Sequence, residues 1–394
     1  MKFLFFANRV PYPPYRGDKL KIYNLAKRLS KSHELHLLTF AQNEEDLGYK
    51  QELEKIFTKV HFVYLPKWHS ALNCLQAVWD TKPLQVLYFQ SAAMKRKLNE
   101  VLAADKFEAI HVQHLRMSPY LQNRKDLPRI LDMPDAFSMY WERRMKAQHN
   151  PFFKLFGNIE YKRVLKYEQI MKDYNLALVC SAEDKEYLIA KHSVRNIDLL
   201  QNGVDLDIFK SGGHDYSHNH TLLFTGNMDY APNVDAVVYF VNDILPIIRQ
   251  KHLGVKFVIA GQRPVAKVQA LASENVIITG FVKDLAEVYN SASVVVAPLR
   301  FGAGTQNKVL EAMAMGVPVV CSNIGFKGLG INSGDGAIMQ TDAAAFANSV
   351  CELLDSSELR RSVGRKGNEV IISSFGWDSI ALKLESYLKG ISIH

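Results

Sequence analysis

A chain of 394 residues with 48% hydrophobic content is long enough for two domains, each with its own core. Its net charge of +8 suggests an anionic partner, which could be a nucleotide, a phospholipid surface or nucleic acid. No apolar run approaches the roughly 18–20 residues needed to cross a bilayer, which argues against a membrane-spanning chain.

Read in chain order, the first apolar run is 3–7. It is interrupted by Asn8 and Arg9 and then by Pro11, Pro13 and Pro14, so it is expected to be a first strand and not a signal peptide, and the protein to stay in the cytoplasm. The turn from Pro13 to Asp18 leads into a helical pattern over 19–29, with Ile22, Leu25, Ala26 and Leu29 on one face. Gly17 in that turn would let backbone amides face a phosphate; the other reading is a simple proline-rich turn. Further strand runs fall at 35–40, 59–65, 109–113, 129–131, 176–180 and 197–200. His111 and His114 frame the end of the fourth run, where a histidine is either a hydrogen-bonded structural residue or a site residue. The stretch 141–167 mixes basic and aromatic residues. It reads as an amphipathic core helix with a solvated basic face, or as a segment resting on an anionic membrane surface. The four cysteines, Cys74, Cys180, Cys321 and Cys351, lack metal-site spacing, so buried free thiols are expected.

After Asn202-Gly203-Val204-Asp205, the polar, glycine-bearing stretch 210–220 has linker composition, and a second α/β unit is expected to start at Thr221. Its strand runs are 222–225, 256–260, 276–279, 294–297, 317–321 and 337–339. Strands alternating with helices in both halves predict an α/β fold of two Rossmann-like, doubly wound domains, with a crevice outside the strand C-termini. Gly226 and Gly261 each follow an apolar strand, where the first loops of the second domain should face that crevice, and Arg263 could reach a phosphate there.

Most informative is the stretch 294–320, a buried strand, a glycine-rich loop, a helix and a second strand. Gly302-Ala303-Gly304 lets backbone approach a ligand, Thr305 is the expected N-cap, and Gly316 with Pro318 supplies the stop. Lys308 would fall in the first turn, where a cation costs about 0.3–1 kcal/mol against the helix dipole unless an anion sits beside it. A phosphate would resolve that conflict. Glu311, three residues on, lies on the same face and could accept hydrogen bonds from ribose hydroxyls. The alternative is a solvated Lys308–Glu311 charge pair on an ordinary helix.

Arg300, Gly304, Lys308, Glu311, Ala312, Ala314, Gly316 and Pro318-Val319-Val320 resemble the donor-site signature of the family 4 glycosyltransferases of the GT-B fold. They most resemble the bacterial branch that includes exosortase-associated sugar transferases, and the resemblance covers nearly the whole chain. It implies two Rossmann-like domains facing across a cleft. An acceptor-side domain over 1–202 would receive the last helix, 377–394, after a donor-binding domain over 203–376. His114 is closest to the family's histidine beside the transferred sugar, while Arg300 and Lys308 would neutralise the pyrophosphate. Donor contacts implied in the same way are Gly17, Asp18, Gly226, Arg263, Phe281, Val282, Gly304, Thr305, Gln306, Asn307 and Glu311.

Two departures stand out. Ala303 occupies the position of the family's first glutamate, and Asn227 to Asn233 replace the usual arginine and lysine.

The implied reaction moves a sugar from a nucleoside diphosphate sugar, of UDP or GDP type, to a hydroxyl of a glycan or lipid-linked glycan, with retention of configuration. The donor is a substrate, so no cofactor is expected. No metal is expected either, because Asp205-Leu206-Asp207, though of Asp-any-Asp form, lies in the interdomain segment. A nucleotide-sugar epimerase and a non-catalytic scaffold of the same fold are the alternatives. No nucleic-acid recognition motif is evident.

Overall fold

The computed structural model describes residues 1–14, 17–122, 124–146, 150–212, 214–217, 220–302 and 306–392. Tyr15, Arg16, Ala303, Gly304 and Thr305 therefore lie outside the described residues. The chain divides into two units, Met1–Asn202 with Trp377–His394, and Gly203–Gly376.

The first unit holds β1 (Lys2–Ala7), β2 (Glu34–Ala41), β3 (Lys59–Tyr64), β4 (Ala109–Gln113), β5 (Arg129–Asp132), β6 (Leu176–Val179) and β7 (Ile197–Leu199). They form a parallel sheet in the order β3-β2-β1-β4-β5-β6-β7. Parallel strands are covered by helices on both faces, which is why these segments read as continuous apolar runs. β1 shows the division. Phe3, Phe5 and Ala7 belong to one core with Ile22, Leu25 and Leu29, and Leu4 and Phe6 belong to the other. The last helix, Trp377–Ile391, adds Trp377, Ile380, Ala381, Leu384 and Leu388 to the first of these cores, a stripe at helical spacing.

The second unit holds β8 (Thr221–Thr225), β9 (Lys256–Ala260), β10 (Val276–Gly280), β11 (Val294–Ala297), β12 (Val319–Cys321) and β13 (Ala337–Met339). Their parallel order is β10-β9-β8-β11-β12-β13. In both sheets the order reverses once, between β1 and β4 and between β8 and β11. A crevice opens outside the strand C-termini at such a switch point.

Three sequence expectations need correction. The stretch 210–220 is not a free linker, because His214 and Tyr216 are buried on the second unit. The Tyr216 hydroxyl donates to the Gly316 carbonyl at 2.9 Å, and the buried Arg360 guanidinium donates to the Tyr216 carbonyl at 2.5 Å. One continuous helical stretch, Ala231–Lys251, does have the length and composition of a membrane span. It is a core element here, with Ala236, Val237, Phe240, Ile244 and Ile248 buried in the second unit, while Asp235 and Asp243 interrupt its apolar sequence. β12 starts at Val319 and not at 317, since the Val317 amide is drawn back to the Ala312 carbonyl at 2.9 Å and Pro318 has no amide hydrogen. Cys180, Cys321 and Cys351 are buried and Cys74 half-buried, all four as free thiols.

Candidate functional site

At the C-terminal edge of the second sheet, the backbone is packed more closely than side chains would allow. The Gly226 amide donates to the Ala260 carbonyl and the Gly261 amide to the Gly280 carbonyl, both at 3.0 Å. A Cβ on Gly261 would lie 1.7 Å from the Gly226 oxygen. One on Gly226 would lie 2.6 Å from the Asn233 amide nitrogen. Glycine at 226 therefore makes room for Asn233, and Asn233 is what holds Lys308.

The helix Asn307–Ala314 begins after Gln306, whose extended backbone takes the N-cap position without a side-chain cap bond. The N-cap is thus Gln306 rather than Thr305. Lys308 falls in the first turn and is buried. Its Nζ donates to Asn233 Oδ1 at 3.2 Å and to Gln306 Oε1 at 3.3 Å, and lies 5.1 Å from the Phe224 ring centre. All three partners are neutral. Burial pulls the Lys308 pKa down to about 8, with only the charge of Glu311 opposing.

Glu311 accepts a hydrogen bond at 2.9 Å from the hydroxyl of the buried Tyr289, which also pairs with Thr225 Oγ1 at 2.7 Å. Burial raises the Glu311 pKa, while Tyr289 and Lys308 favour its ionised form. The result is a cation without a bonded carboxylate among the described residues and a partly exposed carboxylate acceptor, side by side at the start of a helix. That combination suits a phosphate and a polyol respectively.

The two arginines singled out in the sequence are engaged elsewhere. Arg300 meets Asp235 in a two-point pair, Nε to Oδ2 at 2.8 Å and Nη2 to Oδ1 at 2.5 Å, and lies over Tyr239. Arg263 pairs with Asp229 at 3.4 Å and is exposed. Each cation thus has a carboxylate partner of its own in this arrangement. Phe281 is exposed after Gly280, and Val282 is partly buried against the core that includes Val309 and Leu310. Asn307 is the first helical residue. Gly304 and Thr305 lie outside the described residues.

In the first unit, the edge at the β1–β4 reversal is built from charged side chains. Beneath it, buried Lys21 meets Asp132 at 2.7 Å, and Asp132 also meets His111 at 3.1 Å. His114 follows β4 with a left-handed backbone, φ 78°, its amide donating to the Asp132 carbonyl at 2.7 Å. Its ring stacks on Phe137 at 4.6 Å, and Nδ1 accepts the Arg116 amide at 3.4 Å. Burial, reinforced by Arg116 and Arg9, holds its pKa well below the ordinary value, so His114 is neutral. Gly17 opens the helix Gly17–Leu29. Asp18 pairs with Arg9 at 3.5 Å, and its carbonyl accepts from Gln113 at 2.5 Å. Asp135, whose carboxyl is pushed up to about 7 by burial and by Asp184, completes this charged group.

Sequence reasoning missed Asn233, Tyr289 and Thr225, which set the state of Lys308 and Glu311, and it missed Arg9, Arg116 and Asp135. Only Asn233 had a usable signal, as a polar residue at the start of an apolar helix following a strand-end glycine.

Residues 219–356 match the family model described as Glycosyl transferases group 1. Over 364 residues the chain is 26% identical to an uncharacterized 44.6 kDa protein in the cps region of Klebsiella pneumoniae, covering 89% of this chain and 90% of that one. Its fold is similar to that of sucrose-phosphate synthase from Thermosynechococcus elongatus, with TM-score 0.73, 15% identity and 99% of both chains covered. It is also similar to Anabaena HepE, solved in complex with UDP-glucose, with TM-score 0.70 and 14% identity over 99% of this chain and 100% of that one. Taken with the two parallel α/β sheets, these comparisons show a GT-B fold, and the match to Glycosyl transferases group 1 falls within the second unit.

Proposed function

We propose that the protein transfers a sugar from a UDP-type nucleoside diphosphate sugar to a hydroxyl of a glycan or lipid-linked glycan, with retention of configuration and without a metal. The observation that carries this reading is Lys308, a buried cation in the first turn of a helix whose bonded partners among the described residues are neutral. A diphosphate supplies the missing negative charge, and Glu311 beside it accepts from the ribose. As the glycosidic bond breaks, charge grows on the β-phosphate, and a lysine already fixed in a dry setting stabilises it without reorganising. The leaving phosphate can take the acceptor's proton, so no pair of carboxylates is required. For the first unit we propose that His114, as a neutral imidazole, stands by the transferred sugar. The UDP preference is supported by the UDP-glucose complex of HepE.

A role in surface polysaccharide or glycolipid synthesis draws on the Klebsiella relative's place in the cps region. We place the protein in the cytoplasm, meeting its acceptor at the inner face of the membrane, as a member of family 4 near the exosortase-associated branch. The test is calorimetric binding of UDP, GDP, ADP and CMP to the wild type, Lys308→Ala and Glu311→Ala. Tight binding of UDP, lost in both variants, is expected. If no nucleotide binds, the donor-site reading fails and a non-catalytic role replaces it.

A further inference from the structure

Part of the aromatic surface in the basic and aromatic stretch 141–167 is packed within the stretch itself. Trp141 packs against Phe153 and Phe156, with ring centres 6.4 and 5.9 Å apart, and the Arg144 guanidinium lies 4.6 Å from the Phe153 ring centre. Large apolar side chains also face outward. In the helix Pro151–Tyr167, Gly157, Glu160 and Val164 turn inward, while Phe152, Leu155, Phe156 and Ile159 form an exposed stripe at spacings of three and four. The polarity is partly inverted: one of the inward residues is a carboxylate, with Glu160 accepting the Leu84 amide at 3.0 Å and pairing with Arg163 at 3.3 Å.

A second segment, 67–79, repeats the inversion. Ser70 and Asn73 are buried, and Asn73 donates to the Gln90 carbonyl at 2.9 Å. Trp68, Leu72, Leu75 and Trp79, at spacings of four, three and four, are exposed together with Val78. The two stripes adjoin where Arg163, one turn beyond Ile159, donates to the Ala77 carbonyl at 2.6 Å.

Nine large apolar side chains, each 42–85% exposed, lie along these two adjoining stripes, and exposed apolar side chains gathered in one region mark an interaction surface. The same two segments carry exposed lysines. Lys67, Lys154, Lys162 and Lys166 are exposed, and none is paired with a carboxylate among the described residues. Asp80, the nearby acid, is occupied by Lys82 at 2.7 Å. A second copy of the chain would bring the same four lysines face to face, whereas an anionic bilayer attracts all four. Tryptophans at a border between apolar and charged groups suit the headgroup zone.

We propose that segment 67–79 and the outward stripe of the helix Pro151–Tyr167 insert together into the headgroup–acyl boundary of an anionic phospholipid bilayer. The proposal deepens the membrane part of the function above and is independent of sugar transfer. Full-length protein is mixed with vesicles of phosphatidylglycerol and phosphatidylethanolamine in equal parts, and co-sedimentation and tryptophan fluorescence are measured. The wild type is expected to co-sediment with a blue-shifted emission. Val78→Ser, Trp79→Ser and Phe152→Ser combined should weaken binding on the order of tenfold or more, given the apolar area withdrawn. The Tm and sedimentation coefficient should not change. Lys154→Gln, Lys162→Gln and Lys166→Gln combined should weaken binding and flatten its salt dependence.

Unchanged binding of the serine variant overturns the proposal. So does a wild-type dimer that the same substitutions dissociate, which would assign the patch to a second copy. UDP calorimetry on the same samples separates the two readings, since vesicle binding without nucleotide binding leaves this proposal standing and removes only the donor site.

Discussion

Lys21 and Lys308 are both buried, both on helices that follow a strand flanking the sheet reversal of their unit, and their charges are treated in opposite ways. For Lys21, burial alone would lower the pKa, but the attraction of Asp132, 2.7 Å away, and of Cys180 outweighs it, and the pKa ends raised. Lys308 finds two amide oxygens and an aromatic face, and its pKa is pulled down to about 8. A buried lysine with its own carboxylate is a structural ion pair. One without is a receptor for an anion that arrives from outside. Residue type and burial are the same in both cases, so the bonded carboxylate is what separates architecture from site.

The strongest way to break this comparison is to remove the carboxylate. Asp132→Asn leaves Lys21 charged and buried without its partner, and should cost about 3–5 kcal/mol. Urea denaturation reads this directly. Adding Lys21→Met to Asp132→Asn should recover much of the loss, because the penalty belongs to the uncompensated charge. A neutral Asp132→Asn would mean that Lys21 tolerates isolation as Lys308 does, and the distinction would collapse.

Lys308→Met should act in the reverse direction on stability. A pKa lowered from 10.5 to about 8 implies that the charged lysine costs the fold ~3 kcal/mol at neutral pH. Its removal should therefore stabilise the nucleotide-free protein, while weakening UDP binding by about 10–100-fold through loss of a charged donor.

The sign with pH follows from the depressed value. The penalty is complete below pH 8 and disappears as pH rises towards 10.5, where folded and unfolded chains are both deprotonated. Over that window the wild type should gain stability on Lys308→Met. UDP affinity runs the other way, falling as pH rises above about 8 because the free protein loses the proton that the phosphates require. The variant should show neither trend.

How far these features were legible in the sequence depends on what each one rests on. The strands were readable because parallel strands buried on both faces appear as unbroken apolar runs, as in 3–7 and 294–297. The spacing of three placed Lys308 and Glu311 on one helix face. Burial was not readable, because it comes from Phe224, Asn233 and Tyr289, which lie 84, 75 and 19 residues from Lys308 along the chain. Tyr289, in a short apolar helix, resembles any core aromatic. The outward apolar stripes were only partly legible for a related reason, since a membrane surface was one of two readings of 141–167 and 67–79 drew none. Helical periodicity shows that a segment has an apolar face, but in 67–79 and 151–167 only tertiary contacts reveal that this face points outward. The stretch 210–220 misled by composition, because its anchor, Arg360, is remote in sequence.

The smallest expected effect sharpens the division of labour between lysine and glutamate. Tyr289→Phe removes the hydroxyl that Glu311 accepts from at 2.9 Å and leaves the ring in the core. Losing that donor should raise the Glu311 pKa further and loosen the carboxylate, costing ~0.5–1.5 kcal/mol of UDP affinity, about twofold to tenfold. Inorganic pyrophosphate has no ribose, so its binding should be unchanged in Tyr289→Phe but weakened in Lys308→Met. Calorimetry with both ligands on both variants gives four comparisons. If Tyr289→Phe weakens pyrophosphate as much as UDP, the hydroxyl is supporting the helix start and Lys308 through its contact with the Lys308 carbonyl at 3.4 Å, and Glu311 is not the ribose acceptor.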